Sequence, residues 1–319
     1  MKPNSSSRHL LAASAAVLGA FTVASAHADT FGSGGNAFTI GFVPIGNAGN
    51  AADGTGYGAV PYNFNMSTHE ISQDQLAKAA NSLGTSLGGG AWVGSQPAAN
   101  VSWYQAAAFV NYLNTSTGHA AAYNLNAGAT ALTLWTPGDA GYDASNLYRN
   151  SNAYYFLPSE NDFYKAAYYD PNKAGGAGYW LYATGSNTIP TPVGSGTGAG
   201  TAVYRQSFPQ GPAAVDSAGG LSPYGTMGQS GNVYEWLESA SDGSNDISSE
   251  YRELRSGMWF NTENSLLSSN RIGNAPSNSD ITWGFRVASV EMVPEPSSAI
   301  LLIGSGLMCL ARRRPGSSR

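Results

Sequence analysis

The chain has 319 residues, 42% of them hydrophobic and 11% charged, with 40 glycines, 18 tyrosines, 7 tryptophans and one cysteine. That charge content, against ~25% in ordinary soluble domains, excludes a charge-rich helical bundle and a charge-driven disordered chain, while the aromatic rings supply area for a sizeable core. A formal net charge of -5 offers nothing to a phosphate backbone, so no nucleic-acid partner is expected, and a lone cysteine leaves stability to packing and any metal to oxygen ligands.

Residues 1–28 carry Lys2 and Arg8, an apolar run over 10–23 and an Ala26-His27-Ala28 site that suits a signal peptidase. They read as a secretory signal peptide whose removal leaves a chain starting near Asp29. A strand is expected over 38–44. Three helix starts follow, each a serine with Gln or Asp three residues on, so that the two side chains can cap the orphan amides: Ser72/Gln75, Ser102/Gln105 and Ser159/Asp162. The first helix carries Leu76, Ala79, Ala80 and Leu83 on one side and ends at Gly84. The second carries Trp103, Ala106, Ala107, Val110 and Leu113 at helical spacing, and the third runs from Glu160 to about Tyr169 before Pro171. Further strands are expected over 132–135, 233–237, 254–259 and 283–290. Gly-rich loops occupy 84–90 and 194–200. The class is α+β with much irregular structure, without the strand–helix alternation of a doubly wound sheet.

At the C-terminus, residues 293–314 join a Pro-Glu-Pro turn to a mostly apolar stretch over 299–311 that holds Cys309, and then to Arg312, Arg313 and Arg314. As a helix that stretch rises ~20 Å against a bilayer core of ~30 Å, a marginal span, and the arginines would keep the C-terminus in the cytoplasm. Turn, apolar stretch and basic tail in this order closely resemble the PEP-CTERM sorting signal of Gram-negative bacteria. The resemblance implies an exosortase-type sorting enzyme as partner and delivery to the cell envelope, cell surface or exterior with transient C-terminal anchoring. Between the two ends, residues 29–292 form the mature domain, with 9 basic and 19 acidic residues. Such acidity raises the prospect of divalent-cation sites.

Within that domain the motifs FNMSTHEIS (64–72), NVSWYQAAAFVNYL (100–113), YFLPSENDFYKAAYY (155–169), SPYGTMGQSGNVYEW (222–236), RELRSGMW (252–259) and WGFRVA (283–288) occur in a fixed order. Together they resemble the sulfatase-modifying-factor family, the formylglycine-generating enzyme (FGE) domain, over about residues 38–290. The resemblance implies the FGE-type variant of the C-type-lectin fold.

Gly231-Asn232 reads as a turn tolerating positive φ, and Glu235 follows on a strand among aromatics. A buried carboxylate there must be paired or metal-bound. Arg271 and Arg286 are the candidate ion-pair partners. The resemblance implies a calcium site instead, built from Glu235 with the carbonyls of Gly231 and Val233. A further family ligand three positions before the Gly-Asn pair is Gly228 here, which weakens such a site. Active family members oxidise a substrate cysteine using copper held by two thiolates; the corresponding stretch here places Asn261 and Leu266 at those positions, so no copper is expected. A second branch uses iron on histidines, but the mature domain holds only His69 and His119. Gly84 to Gly88 matches a nucleophile elbow in letters only, because it follows a helix, and 242–250 lacks calcium-loop spacing. The expectation is therefore a surface-sorted binding domain, with extracellular polysaccharide as ligand. An oxidase with divergent metal ligation is the competing reading, and a purely structural matrix protein a third.

Overall fold

The computed structural model describes residues 25–291, so most of the expected signal peptide and the whole sorting segment lie outside the described residues. Strand β1 (His27–Phe31) pairs antiparallel with β2 (Phe38–Ile45), where Phe38, Ile40 and Phe42 point inward and Thr39 outward. That alternation is the period of two that a half-buried strand requires. Cutting the chain after Ala28 would leave the pairs of Asp29, Thr30 and Phe31 in place, together with the 2.8 Å hydrogen bond from the Tyr155 hydroxyl to Asp29.

After β3 (Phe64–Ser67) come α1 (Gln73–Leu83) and α2 (Trp103–Ser116). Both start at the expected capping boxes: Ser72 Oγ accepts from the Gln75 amide and Ser102 Oγ from the Gln105 amide, while each glutamine returns the bond. Gly84, left-handed at φ 67°, ends α1. Beyond β4 (Tyr155–Phe156), α3 (Glu160–Tyr168) has the same box through Ser159 and Asp162. The chain then forms β5 (Tyr234–Ala240), β6 (Arg252–Arg255), β7 (Ile272–Asn274), β8 (Trp283–Phe285) and β9 (Ala288–Val290).

Two sheets result. The first has the order β1-β2-β3-β9-β4 with every pair antiparallel; the second has the order β7-β6-β5-β8, in which β5 and β8 run parallel. Helix α1 lies on α2 and β2, and α2 also meets β4. Two indoles fasten α2 to the second sheet. Trp103 Nε1 donates to the Leu237 carbonyl at 2.8 Å, and Trp236 Nε1 donates to the Val101 carbonyl at 2.9 Å. Leu, Val and aromatic side chains of both sheets and both helices fill the main core.

Three expectations need correction. The run 283–290 is two strands in different sheets, because the chain crosses between the sheets at Arg286 and Val287. The strand expected over 254–259 is confined to Arg252–Arg255, since Ser256 and Gly257 take φ of 92° and 84°. The one expected over 132–135 is reduced to Leu132–Thr133. At the start of α3, Glu160 carries the Arg255 and Arg271 guanidiniums on its two oxygens.

Lys165 on α3 is fully buried and donates to the Asn47 carbonyl at 3.0 Å; burial first, only partly offset by Asp162, pushes its pKa down to about 8. Between that value and the ordinary lysine value of 10.5, the unfolded chain holds a proton that the folded chain lacks, so stability rises with pH across this window. Thermal melts from pH 7.5 to 10 should therefore show the native protein gaining on Lys165→Met as pH rises; parallel curves would refute the assignment.

Candidate functional site

The segment from Gly228 to Trp236 forms the centre of the molecule. Gly231 has φ 99°, and a Cβ there would run into the Val203 carbonyl, so no other residue fits. Asn232 takes the left-handed conformation at φ 62°, which an asparagine tolerates. Its side chain is doubly used: Oδ1 accepts from the Ala213 amide at 2.8 Å and Nδ2 donates to Glu70 Oε2 at 2.6 Å. The turn then delivers Glu235 onto β5, fully buried.

Glu235 is paired with Arg286, not Arg271. The Arg286 guanidinium donates from Nε to Oε2 at 2.5 Å and from Nη2 to Oε1 at 2.8 Å, with both side chains completely buried. Arg286 also donates to the carbonyls of Ser67, at 3.2 Å, and Met227, at 2.7 Å. Arg271 belongs to a second network, at 3.0 Å from Glu160 and 2.9 Å from Glu253. Beside the first pair sits Glu70, buried, with Oε1 lacking a hydrogen-bond partner among the described residues. Burial first, and then the neighbouring Glu235, push the Glu70 carboxyl well above the usual range. One guanidinium thus faces two carboxyls, and the one it does not clasp keeps its proton most readily.

These residues do not fit a calcium ion as they stand. Both oxygens of Glu235 are engaged by Arg286, and the Gly231 carbonyl accepts from Ser256 Oγ at 2.8 Å, as does the Gly228 carbonyl. A Cβ at Gly228 would lie 3.1 Å from the Glu70 carboxyl carbon, so a ligating side chain at 228 and the Glu70 carboxyl compete for one space. A hard ion seeking 6 to 8 oxygens would have to displace a guanidinium.

Asn261 and Leu266 also have structural duties. Asn261 Oδ1 accepts from the Met258 amide at 3.1 Å, and its carbonyl accepts from the Arg205 amide at 2.9 Å. Leu266 is fully buried with Tyr182, Ala202 and Tyr204, and packs over Gly231 and Gly257. Around this stretch Trp259 meets Trp92 edge-to-face at 5.2 Å and stacks with Phe208 at 6.2 Å, with Phe208 exposed. His119 stacks on Tyr154 at 4.8 Å, while His69 is held below its usual pKa by burial and by Arg286. Among the described residues no three His, Cys, Asp or Glu side chains converge as a metal cage.

The profile of the sulfatase-modifying factor enzyme 1-like (FGE-sulfatase) domain matches residues 37–290. The chain belongs to this family. A PEP-CTERM protein-sorting motif matches residues 293–314, so the FGE-sulfatase domain is an exported cargo addressed to the cell envelope or surface. Among the described residues no helix is long and apolar enough to cross a membrane. No curated protein matches the chain.

Solved structures that share its fold include two with a TM-score above 0.5. Treponema denticola variable protein 1 is 18% identical, with a TM-score of 0.57 over 83% of this chain and 99% of that one. CarF is also 18% identical, with a TM-score of 0.51 over 79% of this chain and 99% of that one. The architecture is thus the FGE-type, C-type-lectin-like α+β fold that the motifs imply.

Glu70 and Ser256 join the central cluster from the 64–72 and 252–259 motifs, whose sequence carries no sign of it. A motif locates a residue along the chain and does not say which carboxylate it faces.

Two outcomes follow. Added calcium or a chelator should leave the melting temperature of the exported protein unchanged; a rise of several degrees with millimolar calcium would show that the ion displaces Arg286. Arg286→Met should cost about 3–5 kcal/mol in denaturant unfolding because it strands Glu235, and adding Glu235→Leu should recover much of that loss.

Proposed function

We propose that this FGE-sulfatase domain binds and does not catalyse, and that its ligand class is an extracellular polysaccharide. The carrying observation is the use of the two family thiolate positions. Copper of the Cu(I) type asks for soft thiolate ligands, and this chain offers an amide that closes a turn and a leucine that fills a core. The only cysteine, Cys309, belongs to the sorting segment. Formylglycine generation by the thiolate mechanism therefore has no ligands to run on.

What supports binding is the surface such a fold offers. A rigid core with long irregular connections places recognition on loops, and tyrosine, tryptophan and asparagine suit stacking on sugar rings and hydrogen bonding to hydroxyls. The sorting motif sets the location, and residues 293–314 are the part read by an exosortase-type enzyme. Calcium has no role in this reading, since Arg286 supplies the positive charge at Glu235.

The test is mass spectrometry of a Cys-x-Pro-x-Arg peptide incubated with the copper-treated exported protein. The peptide should return unmodified. Conversion of its cysteine to formylglycine would make the protein an oxidase and overturn the proposal.

A further inference from the structure

The pocket of about 560 Å³ between β3, the 143–153 loop, β4 and the end of β9 lies away from both the Gly231 cluster and the Asn261 stretch. Its volume falls within the ~300–1,000 Å³ of small-molecule sites. Its walls come from parts of the chain distant in sequence: Tyr62, Phe64, Asp143, Arg149, Phe156 and Glu291 among them. Tyr62 is 40% exposed and donates its hydroxyl proton to Asp162 at 3.0 Å, which fixes the ring and leaves the phenolic oxygen free to accept. The Arg149 guanidinium carbon sits over the Phe156 ring, 4.1 Å from its centroid, with Nε 3.5 Å from the buried Glu238. Its Nη1 has no hydrogen-bond partner among the described residues.

We infer that this pocket binds a sugar unit that is neutral or bears an amine, and that it rejects uronic and other acidic sugars. The inference rests on the polysaccharide reading above and deepens it. An exposed aromatic ring held by a hydrogen bond stacks on the apolar face of a pyranose. Planar amides and carboxylates on the other walls, Asn63 and Asp143 among them, bond its hydroxyls. Charge decides the class. Asp143 and Glu291 stand in the wall, with Glu238 and Asp162 behind it, against one cation in the wall, Arg149, whose Nε already faces Glu238 and whose Nη1 stays unpaired among the described residues. A ligand carboxylate would enter a site with surplus negative charge and lose its hydration there, whereas a hydroxyl or ammonium would find acceptors.

Glycan-array screening and titration calorimetry on the exported protein test this, with Tyr62→Ala, Asp143→Asn and a pocket-filling Ser151→Trp, whose side chain starts at an exposed position. Melting curves confirm that each variant is folded. Binding to neutral or amino sugars that each folded variant weakens at least about tenfold, ~1.4 kcal/mol, supports the inference. Glycan binding untouched by all three variants places the sugar site elsewhere and overturns it while leaving the polysaccharide reading intact. A preference for uronates overturns the ligand class. Absence of binding to any glycan, with all proteins folded, ends the polysaccharide reading and this inference with it.

Discussion

The ion pair between Glu235 and Arg286 stands where the chain changes sheets. Arg286 follows β8 of one sheet and precedes β9 of the other, so its backbone is the crossing point, and its guanidinium reaches Glu235 on β5, Ser67 at the end of β3 and the Met227 loop. Four of its donor bonds are satisfied by groups on three separate segments. A buried pair of this kind contributes little net stability compared with a well-packed apolar one, because desolvation offsets the attraction. Its contribution is geometric: the guanidinium fork accepts one arrangement of four oxygens, and the two sheets and the loop meet in the arrangement that supplies them.

The surrounding charge pattern follows from that choice. With Arg286 clasping Glu235, the neighbouring Glu70 carboxyl has no cation of its own and is met by the Asn232 amide. Asn232 can reach it only from a left-handed backbone, which needs the Gly231 turn, which in turn rests on Leu266 and the Val203 carbonyl. Leu266, which the family resemblance sets in or near a thiolate position, is a core leucine pressed against the central turn. Restoring a cysteine at 266 would remove volume from a filled site as well as add a ligand, and the loss of packing would act against the gain in chemistry. Leu266 supports the central turn by packing and Asn261 accepts from the Met258 amide, so both positions have structural duties that need no metal.

The sequence made local features plain and long-range ones obscure. All three capping boxes and the end of α1 at Gly84 depend on contacts within four residues, and each was legible. Glu235 was recognisable as a carboxylate that must be partnered, because its aromatic neighbours on a strand left no other possibility. The choice between Arg271 and Arg286 was not legible, since it depends on which sheet receives the 283–290 segment, and periodicity over eight residues cannot show a crossover in the middle. The positive φ at Ser256 was equally hidden, because serine carries no signal for it. The Tyr62 pocket draws walls from residues near 62, 150 and 290, which no spacing rule joins.

Placement at the cell surface changes what a pocket of this kind must achieve. A single sugar in a shallow, mostly preformed site gives modest affinity, because a few hydrogen bonds and one stacked ring are offset by the freedom lost on binding. A polysaccharide presents the same unit repeatedly, and many copies of a sorted protein present the pocket on one surface. Each further engagement is then intramolecular and strengthens attachment without a new contact. On the proposed reading, the excess of acidic residues over 29–292 would work alongside this, since such a surface repels anionic polymers before any enters the pocket. Selectivity for uncharged or amine-bearing sugars would thus arise twice, once from the long-range field and once from the carboxylates around Arg149.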